Sequence, residues 1–470
     1  MDTRALRLLG SVAVSFLLVG VAAAQVGEIP NLPADRPTHD DVADDLLSLD
    51  ELRSAGLTMF TTPFNTLDGY GDGPLNLNDT VSPGGRPTLQ GNGTFLRING
   101  LDAQTCFECH TIVRGSEIPA ELGLGGAGGS NSNAIIMPTS IDPADLDDFD
   151  GTAGFNGRFA NPPFLFGVGG LELVASEMTA DLQALKAQAV SQPNIPVDLI
   201  TKGVSFGRIT WDGNKFDEEE IEGVNADLVI RPFGRKGENF SIRDFDIGAM
   251  QFHFGMQPSE AVGDGVDADG DGVFDEITRG DLSVLSVFLA ALERPVVEAQ
   301  GQEGKNGAKH FDEIGCVDCH IPTLHTRSRN LSLRFPEVPT DPSANVFYEI
   351  DLTRKPARFD RSRLGGIEVP LFADMKRHDL GPDMAESFHG ADEQTRSEFT
   401  TARLWGVRDS APYLHDGRAT TLTEAIMAHG GEAADQRDAF VALSDRQTEE
   451  LLEFLRTLRA PTSPAVDLLH

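Results

Sequence analysis

The chain has 470 residues and carries 73 acidic against 38 lysine and arginine residues, a formal net charge of −35. That imbalance argues against a nucleic-acid or anionic-lipid surface and leaves a basic protein carrier, or simply a salty habitat, as its counterpart. The length suffices for two or three domains.

Residues 1–24 read as a secretory signal peptide. Arg4 and Arg7 precede an apolar run from Leu8 to Val21, and Ala22, Ala23 and Ala24 supply the small residues of a cleavage site before Gln25. The run is shorter than a usual spanning helix and no later stretch resembles one, so no stable membrane span is expected after cleavage, and the expected compartment is the periplasm. Residues 25–50 are polar and acidic and read as a loosely packed arm. Residues 51–105 hold turn signals at 68–74 and 82–87 and read as irregular structure, with a short extended piece at 94–98. Arm and wrapping segment together take up 25–90.

Cys106, Phe107, Glu108, Cys109 and His110 follow. Two thiols separated by two residues can each add across one haem vinyl group, while the adjacent histidine places an imidazole on the iron. The arrangement recurs at Cys316, Val317, Asp318, Cys319 and His320, so all 4 cysteines are consumed. Two covalently attached c-type haems are expected, with His110 and His320 as iron ligands. Redox disulfides or a metal site are the alternatives.

After the first motif, the glycine-rich stretch 123–129 lacks the following lysine of a phosphate loop and reads as a surface or haem-edge loop. Leu171, Val174, Met178, Leu182 and Leu185 predict a helix over 171–190, closed by Pro193 and Pro196. Residues 203–240 read as turns and short strands, in which Arg208 and Arg235 are either propionate partners or ordinary surface arginines. A helix starting near Ser241 carries Phe245, Ala249, Phe252 and Met256 on one face. His253, one turn beyond Ala249, is the candidate catalytic residue, as sixth ligand or distal base of the first haem. Met250, Met256 or an open, water-bound iron position compete with it.

Asp267, Asp269, Asp271 and Asp275 place carboxylates at alternating positions around Gly272, and Val273 adds a backbone carbonyl. Calcium is the candidate occupant. The match is partial, because an EF-hand glutamate would stand where Thr278 does, although Glu276 is near; a plain acidic loop is the alternative. Asp281 is expected to cap an apolar helix through Leu282, Leu285, Phe288, Leu289 and Leu292, and the boundary is expected at 295–305. That divides the chain into a first haem domain over 91–297 and a second over 298–470.

In the second half, residues 322–360 are rich in proline and arginine with few regular signals, and 365–390 are dense in turn residues and polar groups. Thr421 with Glu424 is a capping box and Gly430 with Gly431 a stop, predicting a helix over 422–429. Leu422, Ala425, Ile426 and His429 share its face. His429 is the preferred ligand across from His320, with Met427 or a purely structural histidine as alternatives. Ser444 to Gln447 opens a last helix with Leu451, Leu452, Leu455 and Leu458.

The run Leu404, Trp405, Gly406, Val407, Arg408, Asp409, Ser410, Ala411, Pro412, Tyr413, Leu414, His415, Asp416, Gly417 and Arg418 continues with Thr421, Leu422, Glu424, Ala425 and Ile426. It resembles the C-terminal signature of the bacterial di-haem cytochrome c peroxidase superfamily. Val369, Pro370, Leu371, Phe372, Ala373, Asp374, Met375, His378, Asp379, Gly381 and Pro382, with His429, Gly430, Gly431 and Glu432, resemble its di-haem oxidoreductase branch, often labelled thiol oxidoreductase. The likeness is strong over 300–460. It implies a mainly α fold of two cytochrome c-like haem domains with long irregular insertions and a few short strands. One haem would pass electrons while the other meets peroxide, and calcium often lies near the interface in such peroxidases. His415 and Arg418 match the signature and would organise a haem pocket or contact a propionate; Trp405 would line the route between haems or fill the interface. His429 stands where the peroxidases commonly use methionine, which implies a lower potential at the second iron.

The function expected is a periplasmic di-haem c-type oxidoreductase. Electrons from a small cytochrome or cupredoxin would enter at the His320 and His429 haem and reduce hydrogen peroxide at the first. An oxidase or oxygenase acting on an organic substrate, and a non-catalytic electron-transfer cytochrome, are the alternatives. No spare cysteine exists for a resolving thiol pair.

Overall fold

A computed structural model describes residues 29–71, 103–110, 112, 137–141, 155–158, 161–163, 165–386 and 396–461. The signal peptide, the extended piece at 94–98 and the glycine-rich stretch 123–129 lie outside the described residues. The fold is mainly helical, with short strands and long loops.

The N-terminal segment departs from the arm expected over 25–50. Helices α1 (His39–Ala43) and α2 (Leu49–Thr61) each open with a complete capping box, Thr38 with Asp41 and Ser48 with Glu51. Val42, Leu52 and Phe60 are buried, and Phe60 packs 5.6 Å from Phe288 between ring centres. Arg36 adds an ion pair of 2.6 Å to Asp281. The segment is therefore a packed part of the core. Its acidic surface hid a stripe of Leu52, Gly56, Met59 and Phe60 that has helical spacing.

Strands β1 (Met137–Ile141) and β2 (Phe155–Arg158) pair antiparallel. Helix α3 (Val168–Ser191) is the long helix expected over 171–190. Strands β3 (Val197–Thr201), β4 (Val204–Trp211) and β5 (Phe216–Asp217) follow as an antiparallel sheet, as the turn and strand signals suggested. Ser241 caps α4 (Ile242–Ala249), which continues as a π-turn over Met250–Phe254 and stops at Gly255. After α5 (Ser259–Val262) comes the apolar helix α6 (Arg279–Ala290). Its N-cap is Thr278, with Asp281 as the returning carboxylate at the third helical position, so the cap lies three residues before the one expected.

Strand β6 (Val296–Val297) pairs with the C-terminal β13 (Leu458–Arg459), which ties the expected boundary to the chain's last helix. Helix α7 (Gln302–Glu313) leads into the second motif. Strands β7 (Leu324–His325) and β10 (Glu368–Val369) pair with each other, as do β11 (Arg377–Asp379) and β12 (Glu398–Thr400). The region 322–360, read as having few regular signals, contains a hairpin of β8 (Asn330–Arg334) and β9 (Val346–Asp351) in the register Leu331 to Ile350 and Leu333 to Tyr348. Leu331 and Leu333 alternate inward, a two-residue pattern too short to stand out among prolines. Helices α8 (Leu422–Met427), α9 (Ala434–Val441) and α10 (Asp445–Leu455) complete the chain.

Buried apolar side chains form a large cluster containing Cys109 and a smaller one of Phe311, Phe372, Val407, Phe440, Leu451, Phe454, Leu455 and Leu458, against which Cys316 packs. In the smaller cluster α7 and α10 approach so closely that a Cβ on Gly307 would run into the Glu450 carbonyl. Gly307→Ala is expected to lower stability by about 1–3 kcal/mol through overpacking, enough to outweigh the roughly 1 kcal/mol that alanine gains in a helix. Chemical unfolding with an unchanged slope checks this; an unmoved or raised midpoint would show that the two helices can part.

Candidate functional site

Both cysteine motifs adopt the same local geometry. Each is one turn of 3-10 helix, Cys106–Glu108 and Cys316–Asp318, and each histidine amide bonds back to the first cysteine carbonyl at 2.9 Å. None of the four cysteines is in a disulfide. Burial pushes the Cys106 thiol far up and the Cys316 thiol up to about 12. Neither is a thiolate at neutral pH, which argues against reactive redox cysteines.

Three imidazoles share one hydrogen-bond arrangement. His110 Nδ1 lies 3.0 Å from the Pro163 carbonyl, His320 Nδ1 2.9 Å from that of Phe372, and His429 Nδ1 2.9 Å from that of Ala425. A carbonyl only accepts, so Nδ1 carries the proton in each and Nε2 keeps its lone pair for a metal. Burial keeps the rings neutral. It pushes His110 down to about 4 and, with neighbouring His429 adding to it, His320 down to about 4; His429 is lowered by the same cause.

His320 and His429 face each other with ring centres 6.4 Å apart and planes at 61°. Two imidazoles bound to opposite sides of one iron, with metal–nitrogen bonds of about 2 Å, need ring centres roughly 6 Å apart. The residues present therefore fit a haem iron held by both. Helix α8 ends at Met427, two residues before the expected 429, and His429 follows in a tighter turn. Leu422 and Ile426 pack on the smaller core, whereas Met427 is exposed and turned away.

The turn bearing His429 is clamped by residues 374–381. His378 Nε2 lies 2.7 Å from Asp374 and its Nδ1 2.8 Å from Glu432, and Glu432 also accepts from the Asp379 amide at 2.9 Å. Against the burial that would lower it, Asp374 and Glu432 hold the His378 imidazolium up to about 11. Asp374 accepts further bonds from Thr401 Oγ1 and the Lys376 amide. Gly431, with φ +51°, abuts the Asp379 carbonyl, where a side chain would collide. Cys319, Asp374 and His378 converge within 4.8 Å. Were Cys319 spent on a thioether, this cluster would be a charged neighbour of the haem it holds.

Around the first motif, His253 rides on the π-turn with its ring 4.9 Å from that of Phe252 and 6.3 Å from that of Phe254. It lies close enough to His110 for its charge to disfavour protonation there. Met250 and Met256 are buried in the core. Sequence reasoning passed over Asp246, two turns before His253 on the same helix. This buried carboxyl has Oδ2 without a partner, is pushed well above the carboxylate range by burial, and is near enough to raise Cys106 as well. Its signal was a charged residue seven positions from His253, a spacing that returns to one helix face.

His415 stacks on Phe399 at 4.6 Å and 25°, with Nε2 3.7 Å from Glu386, and burial pushes it down to about 4. Glu386 also meets Arg235 at 2.6 Å. Asn161 binds the carbonyls of Pro412, Leu414 and His415, two residues before the Pro163 carbonyl that fixes His110. The C-terminal signature thus lies in the surroundings of the first motif. Arg235 Nη2 and Trp405 Nε1 are buried donors without partners, and His415 Nδ1 is likewise unpartnered. Such donors are costly unless satisfied, and haem carboxylates have the matching chemistry. Arg418 is held by Asp416 at 2.6 Å and the Asp383 carbonyl at 2.8 Å, half-exposed, and lines a cavity with Asp383, Met384, Met427 and Gly430 beside the turn that bears His429. Arg208 pairs with Asp198 and Glu220 at the surface, which settles it as an ordinary surface arginine.

In the acidic loop, carboxylate oxygens of Asp267, Asp269 and Asp271 lie within 4.8 Å of one another. Asp275 stands outside the three converging aspartates. Its φ of +51° turns the chain, and its Oδ1 accepts from Ser259 Oγ at 3.1 Å and the Gly265 amide at 2.7 Å. Val273 donates its amide to Asp271, and Thr278 serves as a helix cap. The fourth carboxyl toward the three aspartates is Glu276, which burial, with those aspartates adding to it, pushes up to about 9.

Residues 362–458 match the family described as di-haem oxidoreductase, putative peroxidase. Cytochrome-c peroxidase IdrP1 of Denitromonas iodatirespirans is 25% identical over 182 residues, covering 37% of this chain and 44% of that protein, so the chain spans less than half of this relative's length. Among solved structures, Kuenenia stuttgartiensis hydrazine synthase pressurised with 20 bar xenon covers 97% of this chain and 100% of its own at 15% identity and a TM-score of 0.37. A MauG-like protein associated with microbial copper homeostasis covers 38% of this chain and 56% of its own at 17% identity and a TM-score of 0.22. Among the described residues no helix is long and apolar enough to cross a membrane. The family match takes in Asp374, His378, His415, His429 and Glu432, so the likeness to di-haem oxidoreductases covers the second cysteine motif's surroundings.

Proposed function

We propose that the protein is a periplasmic di-haem c-type oxidoreductase that reduces hydrogen peroxide at the His110 haem with electrons relayed by a second haem held between His320 and His429. The observation that carries this reading is the facing pair of neutral imidazoles 6.4 Å apart, each with its Nδ1 proton committed to a carbonyl. Two strong protein ligands leave no place for substrate, which makes that site a relay and assigns chemistry to the first. The two units would be 91–297 and 298–470, and the donor a small cytochrome or cupredoxin whose basic face complements the acidic chain.

When bound, the haem irons supply the electron chemistry. The chain's own residues hold the irons and handle protons. Reduction of one peroxide to two waters takes two electrons and two protons. Asp246, its carboxyl pushed well above the carboxylate range by burial, supplies a proton beside the first motif, and His253 moves a proton between the peroxide oxygens. Phe252 and Phe254 flank His253 and limit water beside it. The proximity of His253 to His110 also supports a second reading, in which His253 binds the first iron and the protein only carries electrons.

Electron paramagnetic resonance with optical spectra, on oxidised and half-reduced protein before and after peroxide, separates the two. A high-spin first haem, present at rest or appearing on half-reduction and reacting with peroxide, is expected. Two unchanging low-spin signals with no reaction would overturn the peroxidase reading. His253→Ala is expected to cut turnover by about 10²–10⁴-fold, the usual worth of a positioned acid or base, and to leave the second haem's spectrum intact.

A further inference from the structure

We infer that Asp267, Asp269, Asp271 and Glu276 form a site for one divalent cation, of the calcium class, that braces the π-turn side of the first motif. The inference stands on geometry independent of any haem chemistry. Asp267 accepts the Gly270 and Gly272 amides at 2.7 and 3.1 Å, and Asp271 accepts the Val273 amide at 2.7 Å. These bonds fold the loop so that the three aspartates converge. Asp269 is 7% and Glu276 2% exposed, and each keeps one carboxylate oxygen, Asp269 Oδ2 and Glu276 Oε1, buried without a partner.

Unpartnered buried carboxylate oxygens are costly, and the three aspartates gathered together repel one another and the adjoining Glu276. Among the described residues no lysine or arginine pairs with any of the four. The nearby Arg36 is spent on Asp281 and on the main-chain carbonyls of Glu276 and Asp275, and Arg279 on Asp264. A cation supplies what is missing. All the side-chain ligands are oxygens, the donor type calcium takes in six- to eight-fold coordination, whereas magnesium demands a tighter octahedron and gives up its waters reluctantly.

Glu276 links this site to the surrounding fold. Its Oε2 accepts the Gln257 amide at 2.6 Å, and its side chain lies against Gly69, leaving no room for a Cβ there. Two residues on, the Gly71 amide binds the carbonyl of Phe254, the last residue of the π-turn, and Tyr70 Oη reaches the Ala103 carbonyl near Cys106. A cation on Glu276 therefore joins the acidic loop, the end of the His253 turn and the approach to the first motif.

The test uses the holoprotein, stripped with a chelator and then titrated with calcium chloride by calorimetry, with thermal unfolding in parallel. One saturable site per chain, a melting point raised by several degrees, and at least tenfold weaker binding of magnesium are expected. Glu276→Gln is expected to weaken calcium binding at least tenfold. Should that variant fail to fold, Asp271→Asn, at an exposed position, carries the same expectation. Absence of saturable binding with an unmoved melting point would overturn the site. Binding unchanged in the variants would place the ion elsewhere and also overturn it, and magnesium binding as tight as calcium would overturn the calcium class.

Discussion

Replacing His429 with alanine is expected to turn the second haem from low-spin to high-spin in the oxidised protein and to cut peroxide turnover by more than tenfold. The ring faces His320 across 6.4 Å with its Nε2 lone pair available, so its removal opens one side of the iron. Loss of a residue that merely hydrogen-bonds to a ligand already costs roughly 10–100-fold at metal sites, and a direct ligand should cost no less. His429→Met is the sharper variant. It should keep six-coordination yet raise the second haem's potential by on the order of 0.1 V or more, within the roughly 0.8 V that axial ligands span. Redox titration monitored optically reads that shift. A potential and spin state unchanged in both variants would remove His429 from the iron.

Arg334→Met is expected to destabilise the protein by about 3–5 kcal/mol, because it strands a buried carboxylate. Arg334 Nη2 meets Glu172 Oε1 at 2.9 Å, with side chains only 4% and 1% exposed. The same Glu172 accepts the Ile242 amide at 2.9 Å at the start of α4, the helix that carries Asp246 and leads into the His253 turn. The loss should therefore appear twice, in the chemical unfolding midpoint and in weakened peroxide turnover. Adding Glu172→Gln should restore part of the stability, since the second change removes the stranded charge. Full additivity of the two single effects would show that the pair is not coupled.

Much of the site could be read from local signals. The CxxCH motifs and the 421–431 stretch carry their chemistry in adjacent residues, and they place His110, His320 and His429 where short-range geometry puts them. The packed α1 and α2 were missed because a few buried residues, Val42, Leu52 and Phe60, lie inside an acidic surface, although both capping boxes were in plain view. Asp275 stands apart from the other three aspartates because alternation along a loop holds only while the backbone stays regular, and its positive φ breaks the pattern. Asp246, Glu386 and the Arg334–Glu172 pair depend on residues distant in sequence, which no local spacing reports.

The bonds from Asn161 to the carbonyls of Pro412, Leu414 and His415 bear on how this chain can be divided. Residues 412–415 thus hold the stretch that carries the Pro163 carbonyl, on which the His110 ring is oriented. A fragment ending at the 295–305 boundary would keep Cys106, Cys109 and His110 yet leave Asn161 without these partners and the strand Val296–Val297 unpaired. The two halves are thus interlocked in manufacture. Translation must reach the C-terminal strand before the surroundings of the first motif are complete.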